Sequence, residues 1–214
     1  MVTLSFDNGP EPEVTPHVLD TLATHSVKAS FFVMGRKAAT AEGRALAMRA
    51  SAEGHWIGNH TYSHALPLGE LDRAAALSEF DRAEDSLAWL EQKPRLFRPY
   101  GRQGRLGKHL LHPAVVERLV AGGFSAVLWN CVPGDWRDPE GWVTTALRQC
   151  RSRAWSLVVL HDQPGGAMKH LDRFLTELKE AGMPIVQEFP GDCVPICEGR
   201  ITGGIEQWVS VRRD

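Results

Sequence analysis

The chain has 214 residues, 43% of them apolar, and its 24 lysines and arginines against 26 aspartates and glutamates leave a formal net charge of -2. That is one domain's worth of chain, with enough apolar content to bury a core without disulfides or other staples. Near-neutrality without a basic run argues against a surface that tracks phosphates, so nucleic acid is not expected as a partner. No stretch has the length and apolarity of a membrane span.

Apolar, β-branched runs recur along the chain at Val2 to Phe6, Ala29 to Val33, His55 to Gly58, Leu96 to Arg98, Phe124 to Trp129 and Leu157 to Leu160. Helical periodicity fills most of the gaps between them. Pro16 to His25 carries Val18, Leu19 and Leu22 on one face, and the Ala-rich segment Ala39 to Glu53 stops at Gly54, a C-cap. The clearest helix is predicted from Gly69 to Gln92, with Leu71, Ala75, Phe80, Ala83, Leu87 and Leu90 as its apolar stripe and Pro94 as its stop. Further helices are predicted at Pro113 to Ala121, Glu140 to Gln149 and Met168 to Ala181. Strands alternating with helices imply a parallel sheet, and six or seven such units in one domain favour a closed or nearly closed barrel. After Gly182 the rhythm breaks, and Val194 to Ile201, centred on Glu198-Gly199, reads as a hairpin.

The four cysteines, Cys131, Cys150, Cys193 and Cys197, are scattered, and no C-x-x-C pair stands with histidines at zinc-finger spacing, so free thiols are expected. The opening Met-Val-Thr-Leu-Ser-Phe lacks the charged, apolar and small-residue regions of a secretory signal, which reads as cytoplasmic.

Chemistry concentrates where strands end. Val2 to Phe6 stops at Asp7-Asn8-Gly9-Pro10, which is turn chemistry, so Asp7 and Asn8 are placed on a loop leaving a strand. His60 and His64 are spaced to share one face of a helical turn, with Asn59 as its cap, and two imidazoles on one face suit a divalent ion. His161-Asp162 follows the run Leu157 to Leu160 and places an acid/base candidate at another strand end. Taken singly, Asp7 also reads as a turn-forming residue, His161 as a hydrogen-bonded strand-end histidine and His60 with His64 as a surface pair. In a parallel barrel all of these ends lie on one rim, where barrel enzymes keep their catalytic groups.

These residues resemble the polysaccharide deacetylases of the NodB-homology type, carbohydrate esterase family four. The likeness runs from Val2 to about Ile185. The family's first motif, Thr/Ser-Phe-Asp-Asp-Gly-Pro, is matched by Ser5 to Pro10, and its second, His-Ser/Thr-x-x-His, by His60 to His64. The resemblance implies a distorted (β/α) barrel of about seven parallel strands, with the hairpin added at the C-terminus. It also implies hydrolysis of an N-acetyl group on an amino-sugar oligo- or polysaccharide, assisted by a divalent metal, zinc first with cobalt or nickel as alternatives. Asp7 would then be the general base, His60 and His64 with Asn8 the ion's ligands, and His161 the general acid that protonates the leaving amine. Asp135-Trp136 is similar to the family's Asp-Trp, whose carboxylate orients a catalytic partner and whose indole walls the substrate groove. Tyr100 would offer a backbone N–H to the oxyanion.

Three departures stand out. Asn8 replaces a metal-binding aspartate, and an amide oxygen supplies no charge, so metal affinity is expected to be weak. Arg98-Pro99-Tyr100 is one residue shorter than Arg-x-Pro-Tyr/Phe, which leaves Arg98, Arg95 and Arg102 as alternative partners for the catalytic aspartate. Val132 stands where relatives carry another aspartate. Two further readings follow: a carbohydrate-binding homologue with weakened turnover, and a hydrolase of small cyclic amides or imides. Oligomeric state is left open.

Overall fold

The computed structural model describes residues 1–91 and 93–211. Its core is one curled sheet. Seven strands pair in parallel: β1 (Val2–Asp7), β2 (Ser30–Val33), β3 (Trp56–Asn59), β4 (Arg95–Phe97), β5 (Phe124–Ala126), β6 (Ser156–His161) and β7 (Ile185–Val186). The spatial order is β6-β1-β2-β3-β4-β5, and beyond β5 the antiparallel hairpin of β8 (Ile196–Cys197) and β9 (Arg200–Ile201) continues the sheet.

β1 is the axis of the arrangement and is buried along its whole length. One edge runs against β6 from Val2↔Ser156 to Asp7↔His161; the other is shared, with β7 pairing at Val2 and Thr3 and β2 from Ser5 to Asp7. The run Val-Thr-Leu-Ser-Phe alternates, and its two buried hydroxyls are each satisfied by a backbone carbonyl, Thr3 donating to Glu188 O and Ser5 to Val158 O. The barrel is distorted because β5 peels away after Ala126. Val127 and Leu128 turn their carbonyls to the Arg98 guanidinium, and the chain rejoins the sheet only at the Cys131↔Val158 bridge. The sequence had predicted an unbroken strand from Phe124 to Trp129.

The crossover helices are α1 (Thr15–Thr24), α2 (Gly35–Ala38), α3 (Ala41–Ala52), α4 (Arg73–Ser86), α5 (Pro113–Ala121), α6 (Trp142–Arg151) and α7 (Leu171–Glu180). The helix predicted from Ala39 starts two residues later, because the Thr40 hydroxyl caps α3 by accepting from Gly43 N at 3.0 Å. The predicted helix from Gly69 to Gln92 is shorter, since Asp72 caps it by accepting from Ala75 N at 2.8 Å and it ends at Ser86. Leu71 therefore precedes α4, Leu87 and Leu90 follow it, and Gln92 lies outside the described residues. Among the described residues no helix is long and apolar enough to cross a membrane. All four cysteines are free thiols, three buried and Cys197 exposed.

Candidate active site

Because every strand from β1 to β7 points the same way, the residues leaving their C-terminal ends share one rim. The register aligns Asp7 with His161 directly across β1 and β6. A cavity of about 210 Å³ opens there, lined by Asp7, Asn8, His60, His64, Tyr100, Trp136 and His161 among others. Arg98 and Asp135 lie beneath it, hydrogen-bonded to two of the lining residues.

Asp7 is buried, and its Oδ1 accepts from Arg98 Nη1 at 2.8 Å. Arg98 immediately follows β4 and is fully enclosed. Its remaining donors reach Ser5 Oγ at 2.7 Å, Val127 O at 3.1 Å and Leu128 O at 3.1 Å, so every branch of the fork is used. Losing one residue from the motif has not turned this arginine away, because Arg98 lies past the end of β4 where strand alternation no longer dictates direction. Arg95 and Arg102, the alternatives, bond instead to Glu84 and Glu70.

His161 is held in the same way by a second carboxylate. Asp135 Oδ1 faces His161 Nδ1 at 2.9 Å and Oδ2 accepts the His161 backbone N–H at 2.8 Å, which fixes both ring and main chain. Burial works against the imidazolium, but the carboxylates of Asp135, Asp7 and Asp162 together outweigh it and raise the His161 pKa above the ordinary value. Trp136 meets the His161 ring edge-on at 4.8 Å. Asp162 itself is fully buried, accepts from Thr15 Oγ1 at 2.6 Å and is pushed up to about 7 by burial.

The two histidines of the H-x-x-x-H spacing meet without a helix, contrary to the sequence expectation. Residues 60–64 form a loop in which Thr61 and His64 take left-handed φ values of 64° and 57°, bringing the rings to 4.8 Å. Asn59 shapes this loop as an Asx turn rather than a helix cap. Its Oδ1 accepts from Thr61 N at 2.8 Å, while its Nδ2 donates to Glu84 Oε1 at 2.8 Å. Tyr100 packs its ring on His64 at 3.8 Å.

These residues fit a cation. His60 Nδ1 can only donate to the Arg98 carbonyl at 2.9 Å, which leaves the Nε2 lone pair 3.7 Å from Asp7 Oδ2. Burial lowers the pKa of both histidines, His64 to about 2, so both are neutral donors at ordinary pH. Asn8 takes φ 76°, and its buried Oδ1 has no hydrogen-bond partner among the described residues. Two imidazole lone pairs and an orphaned amide oxygen around one cavity form an electron-rich donor set. Among the described residues no group of three or more His, Cys, Asp or Glu side chains is disposed to hold a metal ion, and at position 8 the donor is an amide.

The sequence reading assigned no role to several groups at this site. Ser5 passes a hydrogen bond from Arg98 to Val158 O, and Gln163 accepts from Asn8 Nδ2 at 3.3 Å. Trp129 lines the cavity with Val132 and is pinned by its Nε1 bond to Gly104 O at 2.9 Å. Only position could have marked these residues, since Ser5 and Gln163 each stand two places from a catalytic candidate.

Residues 1–110 match the family model described as polysaccharide deacetylase. A peptidoglycan-N-acetylglucosamine deacetylase of Bacillus cereus is 32% identical over 190 residues, which cover 86% of this chain and 66% of that protein. A chitooligosaccharide deacetylase of Sinorhizobium fredii is 36% identical over 167 residues, covering 75% of this chain and 71% of its own length. The fold is similar to the family 4 carbohydrate esterase of Streptomyces lividans, with a TM-score of 0.72, 22% identity and coverage of 92% of this chain and 96% of that one. The chain thus spans about two thirds of the length of the first relative and shares its fold with the third. With Ser5 to Pro10 and His60 to His64 converging on one cavity, the chain belongs to the polysaccharide deacetylase family.

Proposed function

We propose that this chain hydrolyses N-acetyl groups on an amino-sugar oligo- or polysaccharide, with Asp7 as general base and His161 as general acid. The observation that carries the reading is the pair of braced groups facing one cavity: Asp7 on Arg98 and His161 on Asp135, aligned across adjacent strands. A base and an acid on opposite sides of a bound amide are what this cleavage requires. The attacking water gives its proton to Asp7 as its oxygen bonds to the acyl carbon. The C–N bond then breaks as His161 delivers its proton to the departing amine, leaving acetate and a free amino sugar. Arg98 holds Asp7 aimed at the cavity, and Asp135 keeps the Nδ1 side of His161 occupied so that Nε2 faces the substrate.

Polysaccharide deacetylases generally depend on a divalent metal. In this chain His60, His64 and Asn8 would hold it, zinc first, with cobalt or nickel as alternatives. When bound, the ion supplies Lewis acidity that polarises the acyl carbonyl and acidifies water. Trp136 walls the cavity and would stack on the sugar ring, and the backbone N–H at Tyr100 would donate to the oxyanion.

Asn8 gives one reason to keep a second reading, a carbohydrate-binding homologue with little turnover. A binder has no need of two separately braced proton-transfer groups, which favours the enzyme. Acetate release from N-acetylated chitooligosaccharides and from peptidoglycan, measured with excess zinc or cobalt, decides between them. Activity that disappears in Asp7→Asn and His161→Ala supports hydrolysis. Saturable glycan binding without acetate in any metal would establish the binder.

A further inference from the structure

We infer that Gln163 is a positioning residue that turns the Asn8 side chain oxygen-first toward the cation site. This rests on the reading of His60, His64 and Asn8 as metal ligands. A carboxylate has two equivalent oxygens and presents one whichever way it rotates. An amide does not: a half-turn exchanges a ligand oxygen for an NH2 group that repels a cation. A chain with Asn8 at this position therefore needs something to fix the rotation.

The structure assigns that task to Gln163. Its Oε1 accepts from Asn8 Nδ2 at 3.3 Å, and both residues line the cavity shared with His60 and His64. With the NH2 end engaged, Oδ1 is the free end, buried and without a partner among the described residues, an uncommon state for a carbonyl oxygen unless it awaits a ligand. The backbone leaves little else to vary. Asn8 sits in a left-handed turn at φ 76°, and the next residue abuts Asp162 so closely that a Cβ at Gly9 would come within 2.0 Å of Oδ2. Thr15 Oγ1 holds that carboxyl in place at 2.6 Å. The turn is clamped, side-chain rotation is the remaining freedom, and the residue that follows the clamp settles it. The exit of β6 thus carries three successive functions: acid at His161, brace at Asp162 and amide lock at Gln163.

The test is zinc affinity, by competition with a chromogenic chelator, supported by the visible absorption of the cobalt-loaded protein. Gln163→Leu and Gln163→Glu are each made alone and with Asn8→Asp, and thermal melts confirm folding. Gln163→Leu should weaken zinc binding about tenfold or more in the natural chain, the usual cost of losing a group that orients a ligand. Gln163→Glu keeps the acceptor and should bind zinc at least as tightly as the natural chain. In the Asn8→Asp background, where there is no amide to orient, Gln163→Leu should change affinity by less than about twofold. An unchanged affinity for Gln163→Leu alone, or an equal loss in both backgrounds, would overturn the inference. If neither the natural chain nor Asn8→Asp bound zinc or cobalt, the metal reading itself would fall and this inference with it.

Discussion

Arg98 donates to Asp7 across 2.8 Å in a place closed to solvent, with the guanidinium fully buried and the carboxylate nearly so. Breaking a buried pair from one side strands the other charge, which costs far more than an exposed bridge. Arg98→Met should therefore lower unfolding free energy by about 3–5 kcal/mol. It should also abolish turnover, because Asp7 loses its orientation. Urea denaturation followed beside acetate release checks both, and near-native stability for Arg98→Met would refute the account.

The pH profile should report His161. As an acid it must be protonated, so turnover falls as pH rises through its raised pKa. Asp135→Asn removes the principal group that raises that pKa, and the alkaline limb of kcat/KM should move to lower pH. Stability follows the same linkage. A raised folded-state pKa contributes stabilisation fully present below the unfolded value of about 6.5, and lost as pH climbs through the folded one. An alkaline limb that stays where it was in Asp135→Asn would rule out His161 as its source.

Metal dependence should be conditional in this chain. Dialysis against a chelator should remove activity, and zinc or cobalt should restore it with a midpoint at high metal concentration, reflecting weak binding without a charged ligand. Asn8→Asp should tighten zinc about tenfold or more by adding a charged ligand. The change costs little in the backbone, since aspartate tolerates the left-handed φ of 76° much as asparagine does. Isothermal titration of the two proteins makes the comparison, and equal affinities would contradict the ligand assignment of Asn8.

Away from the site, Trp142 opens α6, is fully buried, stacks edge-on against Phe174 at 5.1 Å and donates from Nε1 to Ala167 O at 2.9 Å. Trp142→Ala should cost about 3–5 kcal/mol through the cavity left behind. Trp142→Phe keeps the ring but orphans a buried carbonyl, for about 1–3 kcal/mol. Chemical denaturation measures both, and a Trp142→Phe loss as large as that of Trp142→Ala would show that the hydrogen bond outweighs the packing.

The positions of the strands and the class of the fold were legible in the chain itself. Val2 to Phe6 or Leu157 to Leu160 cannot be exposed, and apolar runs alternating with amphipathic segments have few solutions besides a parallel sheet with crossovers. Even the hairpin turn at Glu198-Gly199 lies where a left-handed pair is needed, at φ 47° and 77°. Asp7, His60 and His161 could be read as a group because parallel strands deliver their ends to one rim.

What local pattern could not supply was direction. The spacing of His60 and His64 fits a helix, yet Asn59 and two left-handed residues join them through a loop, because the Asx bond to Thr61 and the tie to Glu84 compete successfully with a helical turn. The length of α4 was set by the Asp72 cap, not by its apolar stripe. Whether Arg98 or its neighbours would face Asp7 depended on Val127 and Leu128 leaving β5 to offer their carbonyls, a choice made about thirty residues downstream in the chain. Contacts of that kind are decided by burial of a charge that must find every partner at once, and only the assembled sheet brings those partners together.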